Sequence, residues 1–143
     1  MTVRMEHANL YVRHFDDSVR FLKTAFPDFY VRSESIRDGM RWMHIGNDET
    51  YIALNETNLS RAAGLEPYDG RPGVNHIGYE VDDVDALQER LAAAGFTDST
   101  YPNKHPHRKR VYFHDADGND WEFVQYFSDK MSERNDYELP DDG

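Results

Sequence analysis

The chain has 143 residues, of which 38% are hydrophobic, contains no cysteine, and carries a formal net charge of −11 at pH 7. This length allows one domain, or two small modules that share a core. The acidic charge argues against nucleic-acid binding, because no basic stripe is available to neutralise phosphates. The lack of cysteine excludes disulfides, thiolate metal sites and a cysteine nucleophile. No signal peptide and no apolar run of about 18 residues is found, so we expect a cytoplasmic protein without a membrane segment.

The first third of the chain contains a strand, a helix and then three more strands. Residues 5–12 alternate in polarity and predict a strand, with His7 on one face and Ala8 on the other. Apolar residues at helical spacing predict a helix over 16–25, which Pro27 ends. Turn residues and β-forming stretches predict further strands near 29–35, 40–46 and 50–56.

A second group of elements follows a break in the pattern. Residues 57–73 are rich in Gly, Pro and polar side chains, which predicts a linker with room for one short helical turn. A strand is then predicted over 75–81 and a helix over 83–94, with Gly95 where a C-terminal cap belongs. The acidic tail, 128–143, is predicted to be a loop or frayed end that wraps over the domain or a partner.

The two groups are related by one constant offset, since His76 lies 69 positions after His7. The same offset relates Val12 to Val81, Asp16 to Asp85, Leu22 to Leu91, Ala25 to Ala94, Arg41 to Arg110, and Asp48 to Asp117. Similarity at a fixed period indicates a duplicated unit, here of the order βαβββ. We therefore predict a single domain over 1–143, built from module one (5–56) and module two (74–127).

Two histidines and one glutamate predict a metal site. His7 and His76 occupy equivalent places on the first strand of each module, and Glu122 lies between two aromatic residues on the last strand of module two. A carboxylate in such a place is costly to bury without a cation. Two imidazoles and a carboxylate suit Fe(II) or Mn(II), with Zn(II) and Ni(II) as alternatives. The position equivalent to Glu122 in module one is Ala53, so the chain offers three ligands rather than four.

The duplication and its motifs resemble the vicinal oxygen chelate superfamily, which includes glyoxalase I, extradiol dioxygenases, fosfomycin-resistance transferases and bleomycin-binding proteins. The motifs are HANLYV at 7–12, HIGYEV at 76–81 and DADGNDWE at 115–122. The resemblance covers about residues 5–127. It implies an α+β fold whose two tandem βαβββ modules form a curved, incomplete eight-stranded barrel around a cleft, with helices outside. It also implies the ligand set His7, His76 and Glu122, a small-molecule substrate and a homodimer.

The second half of the chain is most similar to type I extradiol dioxygenases. Their signature resembles N-x-H, then an apolar residue and Tyr, then D-P-x-G and Glu, and this chain departs from it at Ala116, where proline is usual. The resemblance implies that Tyr112 contacts the substrate or oxygen. It also implies that His105 lies behind Tyr112 and holds that tyrosine in place. Strand parity and the resemblance together give the candidate substrate-binding residues as Asn9, Tyr11, Arg110 and Tyr126.

We predict a metal-dependent enzyme, most like an extradiol dioxygenase, that acts on a small vicinal-diol, catechol-like substrate. The alternatives are a glyoxalase-like lyase or isomerase, a fosfomycin-type thiol transferase, and a metal-free binding or resistance protein. The sequence does not place the acid/base histidine of extradiol enzymes. The constant offset pairs His44 with Phe113 on the core side, which argues against it, and His114 lies at a strand end.

Overall fold

The computed structural model describes residues 2–61 and 68–139, and its contacts divide the chain into two compact units, Met1–Ala63 and Gly64–Gly143. The first unit contains β1 (His7–Val12), α1 (Phe15–Ala25), β2 (Tyr30–Arg37), β3 (Met40–Gly46) and β4 (Tyr51–Glu56). The second contains β5 (Ile77–Glu80), α2 (Val84–Ala93), β6 (Thr97–Asp98), β7 (Arg108–His114), β8 (Asp120–Tyr126) and α3 (Met131–Arg134). No helix of these described residues has the length and apolarity needed to cross a membrane.

Each unit has a four-stranded mixed sheet with the same strand order. The orders are β1-β4-β3-β2 and β5-β8-β7-β6. In both sheets the first strand pairs parallel with the last, and the other neighbours are antiparallel. The α+β class and the two tandem βαβββ modules are thus confirmed. The predicted strands and helices recur within a few residues of their expected bounds. The two-residue β6 was implied only by the repeat, and no helix was predicted in the tail.

Each sheet buries one face beneath its own helix. In the first unit, Leu22 of α1 and Ile52 and Leu54 of β4 are almost fully buried. In the second unit, Leu87 of α2 is buried with an aromatic face of the sheet made of Phe113, Trp121 and Phe123. Burial of each large apolar side chain stabilises the fold by about 1.5–3 kcal/mol. These faces are therefore fixed in the core, and only the opposite face of each strand is available for a functional site. The predicted cap holds, because Gly95 follows α2 with φ +88°.

The strand pairing supports the offset of 69 for the first and last strands of each module, which are β1 and β4 in the first unit and β5 and β8 in the second. Asn9 lies opposite Ala53 in the first unit, and Gly78 lies opposite Glu122 in the second. Ala53 therefore occupies the place of Glu122, as expected.

The offset is 68, not 69, between β3 and β7, the strands that pair with β4 and β8. His44 lies opposite Ala53, whereas Tyr112 lies opposite Glu122. The turn after β7 is one residue longer than the turn after β3, because His114 pairs with Asp120 while Gly46 pairs with Tyr51. The predicted pairing of His44 with Phe113 is therefore wrong. A slip of one residue moves a side chain to the other face of a sheet, so His44 lies on the face away from the core.

Residues 128–139 fold back onto the second unit. The buried guanidinium of Arg108 donates from Nη1 to the carbonyls of Arg134 and Asp136, both at 3.0 Å. Arg134 in turn pairs with Glu80 at 3.2 Å and lies 4.5 Å above the ring of Tyr126. The last four residues of the predicted tail and residues 62–67 of the predicted linker lie outside the described residues, and the described parts of the linker, 57–61 and 68–73, contain no helix.

Candidate functional site

His76 and Glu122 lie side by side in the second unit. His76 directly precedes β5, Glu122 is in the middle of β8, and Nε2 of the imidazole is 2.9 Å from Oε2 of the carboxylate. The two side chains are 32% and 16% exposed. Gly78 lies opposite Glu122, and a Cβ there would be 3.7 Å from Oε2, so a side chain at this position would contact the carboxylate.

Both ring nitrogens of His76 face oxygen atoms. Nδ1 is 2.6 Å from Oδ1 of Asn75, on the side away from the carboxylate of Glu122. A metal ion held between Nε2 and the carboxylate would require the ring proton on Nδ1, where the oxygen of Asn75 can accept it. Two adjacent ligand atoms, each about 2.1 Å from an ion at a right angle, are about 3.0 Å apart. The observed separation of 2.9 Å is that of a hydrogen bond between the two groups, and two ligands of one divalent ion would have nearly the same separation.

His7 has a similar local arrangement in the first unit. Its Nδ1 is 2.9 Å from Oε1 of Glu6, and its ring stacks on Tyr51 with centroids 4.6 Å apart. The hydrogen bond to His7 is the main cause that lowers the pKa of Glu6. When Nδ1 donates to that carboxylate, Nε2 keeps the lone pair that a metal needs, as is usual for metal-binding histidines.

The three predicted ligands are divided between the two units. The structure brings His76 and Glu122 together, and their donor atoms suit a divalent metal. In residues 2–61 and 68–139, no group of three or more His, Cys, Asp or Glu side chains is close enough to hold an ion. The membership of His7 in the same site therefore stays a prediction.

Tyr112 lies directly beside the His76–Glu122 pair. It is opposite Glu122 in the β7–β8 pairing, is 3% exposed, and meets the ring of His76 edge-on at 5.9 Å. Its hydroxyl is 3.1 Å from that of Tyr101. Burial is the main cause that raises the pKa of Tyr112, so this phenol remains protonated at neutral pH and can donate a hydrogen bond.

Tyr68 and Tyr101 are site residues that the sequence did not reveal. The hydroxyl of Tyr68 donates to Asp120, and its ring lies parallel to that of His76 at 6.2 Å. Burial raises the pKa of Tyr68 as well. Neither residue shows a motif: one lies in the predicted linker and the other in the loop before β7. Tyr68 thus places a phenol beside the imidazole of His76, and Tyr101 places another beside the hydroxyl of Tyr112.

Replacing Tyr112 with phenylalanine is expected to make the protein less sensitive to alkaline unfolding. Because burial raises its pKa, the folded protein keeps this proton at a pH where the unfolded chain, with a pKa of about 10, has lost it. The proton's contribution to stability is complete below that pH and falls by about 1.4 kcal/mol for each further pH unit. Urea unfolding from about pH 9 to 11 measures the slope. The control is Tyr11→Phe at an exposed ring, and equal slopes in wild type and Y112F would contradict the prediction.

His105 has a different neighbour from the one expected, whereas Arg110 lies near the tyrosines of the site. His105 is buried, and its Nε2 is 3.0 Å from the carbonyl of Asp136 in the tail, while the hydroxyl of Tyr112 contacts Tyr101. The guanidinium of Arg110 lies 5.9 Å from the centre of the Tyr101 ring, close to the same cluster. The contacts of His105 are thus those of a residue that holds the tail.

A cavity of about 550 Å³ opens on the face of the first unit away from its core. Two predicted substrate-binding residues, Asn9 and Tyr11, are among its lining residues, and Asn55 donates to Oδ1 of Asn9 at 2.5 Å. His44 also lines the cavity, with its ring 4.7 Å from that of Tyr51. The full lining is Asn9, Tyr11, Arg37, Asp38, Met40, Arg41, Trp42, His44, Ala53, Leu54, Asn55 and Glu56.

The family model described as the glyoxalase/bleomycin resistance protein/dioxygenase superfamily matches residues 4–123. The chain belongs to this superfamily. The match covers module one and all but the last four residues of module two, and it confirms the resemblance to vicinal oxygen chelate proteins. A comparison with curated protein sequences gave no significant match.

Solved structures of this superfamily share the fold over nearly the whole chain. The fosfomycin resistance protein FosX from Listeria monocytogenes is 20% identical, covers 94% of this chain and 99% of its own, and superposes with a TM-score of 0.71. A glyoxalase/bleomycin resistance protein/dioxygenase domain from Frankia sp. EAN1pec is 24% identical, with coverages of 95% and 99% and a TM-score of 0.68. A glyoxalase family protein from Bacillus cereus is 13% identical, with coverages of 90% and 97% and a TM-score of 0.73. At these identities the likeness shows the fold alone.

Proposed function

We propose that this superfamily member is a divalent-metal-dependent enzyme that acts on a small molecule with two adjacent oxygen atoms. The observation that carries the proposal is the convergence of His76 and Glu122 at 2.9 Å, with the second imidazole nitrogen already held by Asn75. His7, His76 and Glu122 would hold the ion. Fe(II) or Mn(II) suits this set best, with Zn(II) and Ni(II) as alternatives.

The first candidate reaction is extradiol cleavage of a catechol-like diol. A bound divalent ion would supply Lewis acidity and a template for two adjacent substrate oxygens. The chain's own residues would bind and orient the substrate. Tyr112, kept protonated by burial, would donate a hydrogen bond to a substrate oxygen next to the carboxylate, and the hydroxyl of Tyr101, 3.1 Å away, would hold that phenol in place. The carboxylate of Glu6 and the amide of Asn75 fix the ring orientations of the two histidines.

A fosfomycin-type reaction is the second candidate. FosX from Listeria monocytogenes has been crystallised with Mn(II) and sulfate, and a mutant of it with Mn(II) and 1S,2S-dihydroxypropylphosphonic acid, which is also a vicinal diol. In this chain Arg110 lies near the phenols of Tyr101 and Tyr112 and could bind an anionic group of such a substrate.

Anaerobic reconstitution with Fe(II), followed by a panel of catechols, is expected to give oxygen uptake and coloured ring-cleavage products. The measurement is oxygen consumption together with the visible spectrum, and Glu122→Gln serves as the inactive control. Parallel assays with fosfomycin, with and without glutathione, and with glutathione hemithioacetals test the fosfomycin-type and glyoxalase-like alternatives. Turnover in one of those assays, with no turnover of any catechol, would contradict the dioxygenase proposal and support the corresponding alternative. A protein that binds no divalent ion but still binds an aromatic ligand after His7→Ala would support the metal-free alternative.

The predicted homodimer has a separate test. Light scattering of the purified protein should give about twice the chain mass of 16.7 kDa. A mass equal to one chain across the working concentration range would contradict the prediction.

A further inference from the structure

We propose that the described tail, residues 128–139, limits the size of the substrate, and that the side chain of Arg134 is the wall that imposes this limit. The proposal rests on the function proposed above and narrows its substrate class to diols without a long substituent. It follows from contacts within the second unit alone. This part of the chain comes after residues 4–123, which the family model matches.

From Glu122 to the end of β8, three rows of side chains cross the open face of the second sheet. This face is opposite the buried Trp121 and Phe123, because side chains alternate along a strand. The strand pairing gives the first row as Gly78, Glu122 and Tyr112, the second as Glu80, Val124 and Arg110, and the third as Tyr126 and Arg108. Successive rows are about 7 Å apart, because two residues separate them on each strand.

The tail covers the third row. The guanidinium of Arg134 lies 4.5 Å above the ring of Tyr126. Arg108 donates to the carbonyls of Arg134 and Asp136, both at 3.0 Å. Its guanidinium also lies 4.3 Å from the centre of the Tyr137 ring. Both side chains of the third row are thus in contact with the tail, so a ligand cannot occupy this row while the tail is in place.

Arg134 also reaches the second row. Its Nη2 is 3.2 Å from the carboxylate of Glu80 on β5, so the guanidinium spans the open face from Tyr126 to Glu80. Nε donates to the carbonyl of Ser128 at 2.6 Å, which fixes the other side of the group. The charge of Arg134 is already paired with Glu80 and faces Asp129 at 3.9 Å. We therefore expect this side chain to act by its bulk rather than by binding an anion.

Polar contacts hold the tail against the sheet. Nε2 of His105 is 3.0 Å from the carbonyl of Asp136, and Nε2 of His107 is 3.2 Å from the carboxylate of Glu133. None of the four residues of α3 is buried, so hydrophobic burial does not hold this helix. Opening of the tail would take two acceptors from the buried guanidinium of Arg108, which is costly. We therefore expect the wall to stay in place when a substrate binds.

The first and second rows leave space for one ring with a short substituent. A substrate bound beside Glu122 can extend about 7 Å along the strands before it meets the wall. Val124 lies in the middle of the second row and offers an apolar contact to the ring. Added CH₂ groups normally strengthen binding when they are buried. A loss of affinity with increasing chain length therefore distinguishes a wall from an open groove.

The test measures how 4-alkylcatechols bind to the full chain loaded with Mn(II) in the absence of oxygen. 4-Methylcatechol and 4-hexylcatechol are titrated by calorimetry into wild type, Arg134→Ala, Arg134→Met and Lys130→Ala. R134M removes the charge but keeps a long side chain that can lie on Tyr126. Lys130 is an exposed cation of the same tail, so K130A is the matched control. Mn(II) affinity without a catechol should be the same in all four proteins.

Wild type should bind 4-hexylcatechol about 10-fold more weakly than 4-methylcatechol, because forcing extra methylenes against packed atoms is destabilising. K130A and R134M should show the same difference. In R134A the hexyl compound should bind at least as tightly as the methyl compound, whose affinity should not change.

Equal affinities for the two catechols in wild type would overturn the size limit alone, and so would the same discrimination in wild type and R134A. Loss of discrimination in both R134A and R134M would overturn the role of bulk, because the charge of Arg134 would then be responsible. Failure of 4-methylcatechol to bind the wild-type Mn(II) protein would overturn the proposed function and the size limit with it.

Discussion

Replacing Glu122 with glutamine is expected to lower the affinity for Mn(II) or Fe(II) by roughly 100-fold or more. Loss of an outer-shell partner alone costs about 10–100-fold in metal affinity, and this substitution removes a charged ligand. The glutamine keeps the shape of the side chain beside His76, so the fold should be retained. It replaces a carboxylate whose Oε2 is 2.9 Å from the imidazole with a neutral amide. Isothermal titration calorimetry with the metal alone measures the change.

The matched control for this prediction is Glu89→Gln on α2, an exposed carboxylate in the same unit. It changes the net charge by the same amount and should leave the metal affinity unaltered. His7→Ala tests the ligand that lies in the first unit, and it should weaken binding as strongly as E122Q if one site uses both residues. Equal metal affinities for wild type and E122Q would contradict the proposed ligand set. Weakening by E122Q but not by H7A would remove His7 from it.

Replacing Asp115 with alanine is expected to lower the free energy of unfolding by about 3 kcal/mol. The buried carboxylate accepts four hydrogen bonds: from the backbone N–H groups of Asp117 and Asn119, from the side-chain amide of Asn119, and from the indole of Trp121. Alanine would leave the almost fully buried Trp121 Nε1–H without its acceptor. Each such hydrogen bond to a charged group contributes about 1.5–3 kcal/mol. The losses of the four hydrogen bonds are not additive, so the expected loss of stability is smaller than their sum.

Urea unfolding followed by tryptophan fluorescence measures this loss. Ala116→Pro is the control in the same turn, because its side chain is exposed and proline is favoured at the second position of a turn closed by the Gly118 N–H and the Asp115 carbonyl. We expect A116P to change stability by less than about 1 kcal/mol. A D115A protein as stable as wild type would show that the turn does not depend on this carboxylate. A large loss in A116P would contradict the assigned geometry of the turn.

Periodicity and the internal repeat were sufficient to predict the two modules. Alternating and helical patterns located the strands and helices, and the equivalent places of His7 and His76 singled out the histidines. The pairing of Gly78 with Glu122, equivalent to that of Asn9 with Ala53, is the register that the constant offset required. These predictions succeeded because they depend on local side-chain patterns and on similarity between the two halves.

The contacts around the site depended on the tertiary structure. Tyr68 and Tyr101 lie in segments without regular structure, so no periodicity indicated that their hydroxyls meet Asp120 and Tyr112. The expected support of Tyr112 by His105 came from a family signature. In the structure this imidazole contacts the backbone of the tail instead.

By itself the sequence determined the duplicated βαβββ unit, and it predicted a site that includes His76 and Glu122, with Ala53 at the place in module one that Glu122 occupies in module two. It did so because hydrophobic spacing and a repeated motif are properties of the chain alone. Only the tertiary structure decided which face His44 occupies. The turn after β7 is one residue longer than the turn after β3, and a difference of one residue in a strand register reverses every side chain. The register of a hairpin is set by its turn and its partner strand, so counting positions along the chain placed His44 on the wrong side.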